Sequence, residues 1–352
     1  MAPKFIAQLC TKIYKSRNEL NDMKVILFAL LTLLMSANTS CRSQNKTAMT
    51  HEHHPLLCNP EKGLCEMPGT AADTTAVPVH TGQQKVTILY FTDPICSSCW
   101  GIEPQLRKLK LEYGSNFTIE YRMGGLLPDW SYNSGGISKP SDVAHHWDEV
   151  SGYYDMPIDG DVWLEDPLPS SYPPSIAFKA AQLQSTDKAI RMMRILREMV
   201  FLQKKNITRW EFIAEAAQKA GLDATQLKAD YEGKARALFQ EDLQLARKMG
   251  VRGFPTMIFR NDAGQQETVY GSKPYAFYEV AMLQLYPEAK KKTYAKDWSA
   301  LFAMFPSMTA REFSELSGNG RKESEALLNE LHSKGLLDKW TTKNGAIWYA
   351  KQ

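Results

Sequence analysis

The strongest constraint on this chain is a cysteine pair separated by two serines, Cys96-Ser97-Ser98-Cys99. An apolar, partly β-branched run, Val86-Thr87-Ile88-Leu89-Tyr90-Phe91, precedes it, and a helix-compatible stretch, Trp100 to Tyr113, follows. A strand that delivers C-x-x-C to the first turn of a helix is a redox arrangement. The helix N-terminus presents unpaired N–H groups and the positive end of its dipole, which stabilise a thiolate and lower its pKa. Cys96 is thus expected to be the more exposed nucleophile, titrating below the roughly 8.5 of an unperturbed thiol, with Cys99 as the resolving thiol. A structural disulfide or half of a zinc site would use the same spacing.

A second motif favours the redox alternative. Gly250-Val251-Arg252-Gly253-Phe254-Pro255-Thr256 runs into another strand-like segment, Met257-Ile258-Phe259. With the upstream C-x-x-C, this resembles the thioredoxin superfamily and, within it, the DsbA-like branch of FrnE-type oxidoreductases and SpxH-type protease adaptors. The resemblance covers most of Lys85 to Pro287 and implies that Pro255 is cis and faces the cysteine pair. It also implies that the residue before Pro255 offers its backbone to an incoming peptide. Pro255 would then join Cys96 and Cys99 as a catalytic residue, with Phe254, Thr256 and Trp100 on the substrate surface.

The stretch between the motifs is far too long for a hairpin connection. It reads as helices over Ser171–Leu183, Asp187–Leu202, Thr208–Ala220 and Leu227–Met249. Ala189, Met193, Leu196 and Val200 keep the rhythm of one buried stripe. Thr208-x-x-Glu211 has capping-box spacing and Gly221 is a helix stop. The methionines Met192, Met193 and Met199 read as core packing. A helical insertion, about 140–249, is the plan of DsbA-like chains. Two departures from those relatives stand out. Tyr90 occupies the position six before the first cysteine, where an acid is often buried. Ser97-Ser98 supplies no imidazole to the thiolate, so a less extreme potential is expected. Asp93 is the nearest acid, and a turn or helix-start role is its ordinary one.

The chain has 352 residues, 43% of them hydrophobic, which supports a sizeable core, and a net charge of +3, which implies no bulk attraction to nucleic acid. Residues 1–48 read as a leader. Met23-Lys24 opens a short apolar run ending at Met35, followed by small residues and Cys41, like a bacterial lipoprotein signal with Cys41 lipidated. This places the protein on the cell envelope, touching the membrane only through its lipid. Translation from Met49 would instead give a cytoplasmic protein.

In the next segment, 49–84, His51, His53, His54, Cys58 and Cys65 could hold a tetrahedral zinc ion. A Cys58–Cys65 disulfide or an unstructured tail are the alternatives. Residues 85–287 form the redox domain, and 296–352 a small module. In that module Thr309-x-x-Glu312 caps a helix, Glu323 to Lys334 forms a second, and Leu336–Thr341 and Ala346–Ala350 flank an Asn344-Gly345 hairpin signal. The order resembles a winged helix, but Glu323, Glu325 and Glu330 would repel phosphates, which disfavours nucleic acid as a partner.

The expected fold is α/β, thioredoxin-like with a helical insertion and a winged-helix-like C-terminal module. The expected function is thiol–disulfide oxidoreduction of protein thiols with a redox partner, needing no cofactor beyond the Cys96–Cys99 disulfide. A non-enzymatic adaptor on the same body is the alternative.

Overall fold

The computed structural model describes residues 63, 65–66, 86–131 and 138–351. The expectations for Cys41, His51, His53, His54 and Cys58 therefore lie outside the described residues. A two-residue strand, β1 (Cys65–Glu66), precedes β2 (Val86–Thr92), which is buried at every position but Thr87. Such a continuously apolar strand suits a sheet covered on both faces. β2 runs parallel to β3 (Phe117–Met123). After β4 (Gly253–Phe254), the chain enters β5 (Thr256–Asn261), antiparallel to β2, and then β6 (Gln266–Tyr270). The sheet order is β3-β2-β5-β6.

Between β2 and β3 lie α1 (Ser97–Gly101) and α2 (Glu103–Tyr113). The continuous helix expected here is broken at Ile102, because Pro104 has no N–H to continue the ladder. The insertion between β3 and β4 contains α3 (Pro140–Tyr154), α4 (Val162–Glu165), α5 (Tyr172–Gln184), α6 (Thr186–Leu202), α7 (Trp210–Lys219), α8 (Ala224–Glu232) and α9 (Lys234–Lys248). The stripe of Ala189, Met193, Leu196 and Val200 is buried, and so are Met192 and Met199.

Two local expectations fail for clear reasons. The helix expected over Leu227–Met249 is two helices, because Gly233 adopts φ −105°, ψ −112° between α8 and α9. The Thr208 capping box does not form. Thr208 donates instead to Asn206 Oδ1 at 2.6 Å, and Arg209 becomes the N-cap of α7.

After β6 come α10 (Tyr275–Leu285), α11 (Trp298–Met304), β7 (Ser307–Thr309), α12 (Ala310–Ser317), α13 (Arg321–Ser333), β8 (Leu337–Thr342) and β9 (Gly345–Ala350). The last three strands form a sheet in the order β7-β9-β8. Thr309 and Glu312 do make a reciprocal capping box on α12. The hairpin turn falls one residue earlier than the Asn-Gly signal: Thr342 pairs with Gly345, leaving Lys343 and Asn344 as the turn. Contacts to α3 fix that register, since Asn344 donates to Asp148 at 2.7 Å and Lys343 pairs with the same carboxylate. The module has its own apolar core, including Phe302, Phe313, Leu328 and Trp348, against which Leu111 of α2 packs.

Candidate thiol site

Cys96 and Cys99 are buried thiols. Cys96 is the N-cap of α1 in an extended conformation, and its Sγ accepts the Cys99 N–H at 3.1 Å. The sequence reading made Cys96 the exposed member; here its exposure is 0%. The helical insertion closes over α1. Tyr154 lies hydrogen-bonded to Ser98 Oγ, 2.6 Å away, and covers Gly101, where a Cβ would come within 2.6 Å of its ring. Trp100, expected on the substrate surface, is also wholly buried. Its indole N–H donates to Pro157 O at 3.1 Å, its ring stacks on Phe201, and the Arg194 guanidinium sits 4.4 Å from the ring centre.

The insertion also supplies a cation that the sequence reading did not single out. Arg197 of α6 is 1% exposed. It donates to Glu103 Oε1 at 2.6 Å, Thr92 Oγ1 at 2.7 Å and Asp93 O at 3.3 Å, while its buried Nε has no hydrogen-bond partner among the described residues. Burial opposes a charge on Cys99, but the hydrogen bond from Cys96, the Arg197 guanidinium and Thr92 outweigh it and hold this thiol below its ordinary range. Burial pushes Cys96 well above its ordinary value, and the hydrogen bond and charge shared with Cys99 add to the rise. The site therefore places the favoured thiolate on Cys99, the reverse of the expectation from the helix dipole. The Arg197 guanidinium favours a charge on either sulfur; the hydrogen bond between the thiols separates them, favouring the charge on Cys99 and opposing it on Cys96. A charged residue four positions after Met193, on an apolar helical stripe, was the available signal.

Asp93 has more than a turn role. Its Oδ1 accepts the Ile95 N–H at 3.0 Å, and its Oδ2 accepts from Leu126 N at 2.8 Å and Ser171 Oγ at 2.9 Å. These bonds tie the loop before Cys96 to the chain after β3. Burial raises the Asp93 pKa to about 6 against those hydrogen bonds. Burial and the neighbouring Cys99 push the Tyr90 hydroxyl well above its ordinary value, so it stays protonated.

The Phe254–Pro255 peptide bond is cis. Thr256 pairs with Phe91, near the end of β2, so Pro255 lies at the end of the sheet from which the Cys96 loop departs. Thr256 donates to Gly253 O at 2.7 Å, and both Phe254 and Thr256 are buried rather than lining an open groove. The Phe254 ring fills the space beside Gly124, where a Cβ would fall 1.7 Å from a ring carbon.

A second buried charge cluster joins α2 and α6 to the C-terminal module. Glu312, 0% exposed in its side chain, receives Arg194 at 2.7 and 3.0 Å and lies 3.3 Å from Arg107. Arg194 also reaches Glu198 at 2.7 Å, and Arg107 donates to Ser307 O at 2.7 Å. Burial raises the Glu312 pKa, but the two guanidinium groups outweigh it and hold this carboxyl below its ordinary range.

No cluster of metal-ligating side chains occurs among the described residues, and of the zinc candidates only the Cys65 backbone, in β1, is among them. No helix among the described residues is long and apolar enough to cross a membrane.

A thioredoxin family model matches residues 89–280, which span both motifs and the insertion. The chain belongs to the thioredoxin superfamily. Within its DsbA-like branch, this thioredoxin-superfamily protein is 35% identical over 310 residues to the ClpXP adapter protein SpxH of Halalkalibacterium halodurans, covering 85% of this chain and 99% of that one. It is 30% identical over 294 residues to the SpxH of Shouchella clausii, covering 83% and 95%. Among solved structures, the cytosolic disulfide reductase DsbM of Pseudomonas aeruginosa matches at 22% identity and a TM-score of 0.47, over 56% of this chain and 98% of that one.

Proposed function

We propose that this protein is an adaptor that presents a protein substrate to a ClpXP-type protease, using a thioredoxin-like body as its scaffold. The observation that carries this reading is the 35% identity with an SpxH adapter across 99% of that protein's length. The buried thiol pair supports it, because a scaffold has no need of an accessible nucleophile, whereas turnover of protein disulfides does. A second reading, thiol–disulfide oxidoreduction, is favoured by the intact C-x-x-C at the same end of the sheet as Pro255. In that reading Cys96 attacks a partner disulfide as a thiolate formed once burial no longer holds its proton on, releasing one partner thiol, and Cys99 then attacks Cys96, which releases the second and closes the Cys96–Cys99 disulfide.

The readings also part over compartment. An adaptor for an intracellular protease fits translation from Met49, while lipidation at Cys41 would carry the thiols to the envelope. Zinc at His51, His53, His54, Cys58 and Cys65 is compatible with either and would be detected as bound metal in purified protein.

Proteome-wide turnover measurements after deletion of the gene, of clpX and of both test the main reading. An adaptor predicts a set of proteins stabilised by each deletion and no further by the two together. It also predicts that Cys96→Ser/Cys99→Ser restores their turnover in the deletion strain. Failure of the serine variant, with altered thiol oxidation in other proteins, would establish the oxidoreductase; no shared set of stabilised proteins would remove the adaptor.

A further inference from the structure

The backbone around Pro255 has few groups to offer a passing strand. Pro255 has no N–H, and its carbonyl already accepts the Gly271 N–H at 2.8 Å. Thr256 is committed on both sides, to Phe91 in β2 and to Tyr270 in β6. What remains is the edge of β4, Gly253 and Phe254, which stands outside the four-stranded sheet. The chain's own amino-terminal segment takes that edge. β1 pairs antiparallel with β4 in the register Cys65↔Phe254 and Glu66↔Gly253.

A second anchor holds the segment. The Gly63 carbonyl accepts the Ser272 N–H, just after β6. Gly63 is buried, adopts φ +63° and lies so close to that loop that a Cβ would fall 2.5 Å from Ser272 O. Only glycine meets both requirements, the left-handed backbone and the close approach. Gly63 and β1 together form a seat with two separate fixings, on the loop after β6 and on β4.

We propose that β1, fixed beside Gly63, is a built-in occupant of the strand edge beside Pro255, and that Cys96 becomes accessible when this strand leaves. The edge and the Cys96 loop share one end of the sheet, and Cys96 is 0% exposed with the segment in place. Strand addition to an exposed edge draws its affinity from main-chain hydrogen bonds, so a tethered strand competes at a high effective concentration with any partner peptide. The proposal holds under either reading of function. In an adaptor the segment would keep the thiols from adventitious exchange, and in an oxidoreductase it would gate the substrate.

Gly63→Val in the full-length chain tests this, since its Cβ cannot fit against Ser272 at φ +63°. Hydrogen exchange of the peptide spanning 251–257 reads release of β1, and iodoacetamide alkylation of reduced protein, resolved by mass spectrometry, reads Cys96. Both should accelerate together, by about tenfold, as expected when a locally closed segment opens without global unfolding. Glu66→Pro, which removes a backbone N–H from β1, should do the same should the valine variant fail to fold. Faster exchange with unchanged Cys96 alkylation would overturn the proposal and leave Tyr154 and α3 as the cover. Unchanged exchange in both variants would overturn the seat itself.

Discussion

Two arginines three residues apart on α6 do opposite jobs. Arg194 faces the C-terminal module and is surrounded by carboxylates: Glu312 at 2.7 Å, Glu198 at 2.7 Å and Glu103 at 3.8 Å. Arg197 faces the thiols and, among the described residues, has one carboxylate, Glu103 at 2.6 Å, and no hydrogen-bond partner for its Nε. One charge is over-compensated and acts as a clasp. The other is left with attraction to spare, which it can direct at a thiolate. Burial alone does not separate the roles, since both are largely shielded from solvent, Arg194 at 12% and Arg197 at 2% side-chain exposure; the acids around each among the described residues do.

The comparison can be broken most forcefully at Glu312. Glu312→Ala leaves Arg107 without its nearest carboxylate and should cost about 3–5 kcal/mol, the usual penalty for stranding one partner of a buried ion pair. Denaturant unfolding would read it, and titration of Cys99 should be unchanged. A Cys99 shift in that variant would mean the two arginines form one electrostatic unit.

Asp93 comes next. Its carboxyl is raised to about 6 in the folded protein, so it binds its proton more tightly there than in the unfolded chain. The stability it contributes is complete below about pH 4 and is lost as pH rises through about 6, a change of about 3 kcal/mol. Asp93→Asn should remove that slope from a comparison of unfolding at pH 4 and pH 7; identical slopes in the two proteins would show that Asp93 is not held protonated.

Arg197→Met should disturb stability less, because Arg194 at 3.8 Å and Arg107 at 4.0 Å remain near Glu103. The thiols are where it should act. Cys99 loses the cation that favours its thiolate, so its titration, followed by ultraviolet thiolate absorbance in a Cys96→Ser background, should move up in pH. A downward or absent shift would place the charge control elsewhere.

The smallest effect should come from Tyr154→Phe, which removes the 2.6 Å contact with Ser98 while keeping the ring over Gly101. A loss of about 1 kcal/mol in thermal unfolding is the expected worth of one such hydrogen bond. A much larger loss would make the hydroxyl, rather than the ring, the fastening of the cover over α1.

The features legible in the sequence were those written locally. The C-x-x-C at a strand–helix junction, the apolar stripe of α6 and the Thr309 capping box each depend on neighbours a few residues away, and each lies where it was expected. Features decided by distant partners were misread. Cys96 lacks its expected exposure because its cover comes from parts of the chain distant in sequence. The hairpin turn moved by one residue because Asp148 in the insertion holds Asn344 and Lys343. Arg197 was marked in the sequence only by its place on the buried stripe. The pairing of β1 with β4 carried no local sign at all.

The crowding of Gly124 against the Phe254 ring has a consequence for how the chain can change. Any side chain at 124 collides with the ring at 254, so the two positions are not free to vary one at a time. A substitution at 124 is tolerated only after 254 has been made smaller, and shrinking 254 first opens a void that costs stability until 124 fills it. The passage between the two solutions runs through a less fit intermediate in either order. The loop carrying Pro255 is thus tied to the chain after β3 by the order in which substitutions can be accepted as well as by contact.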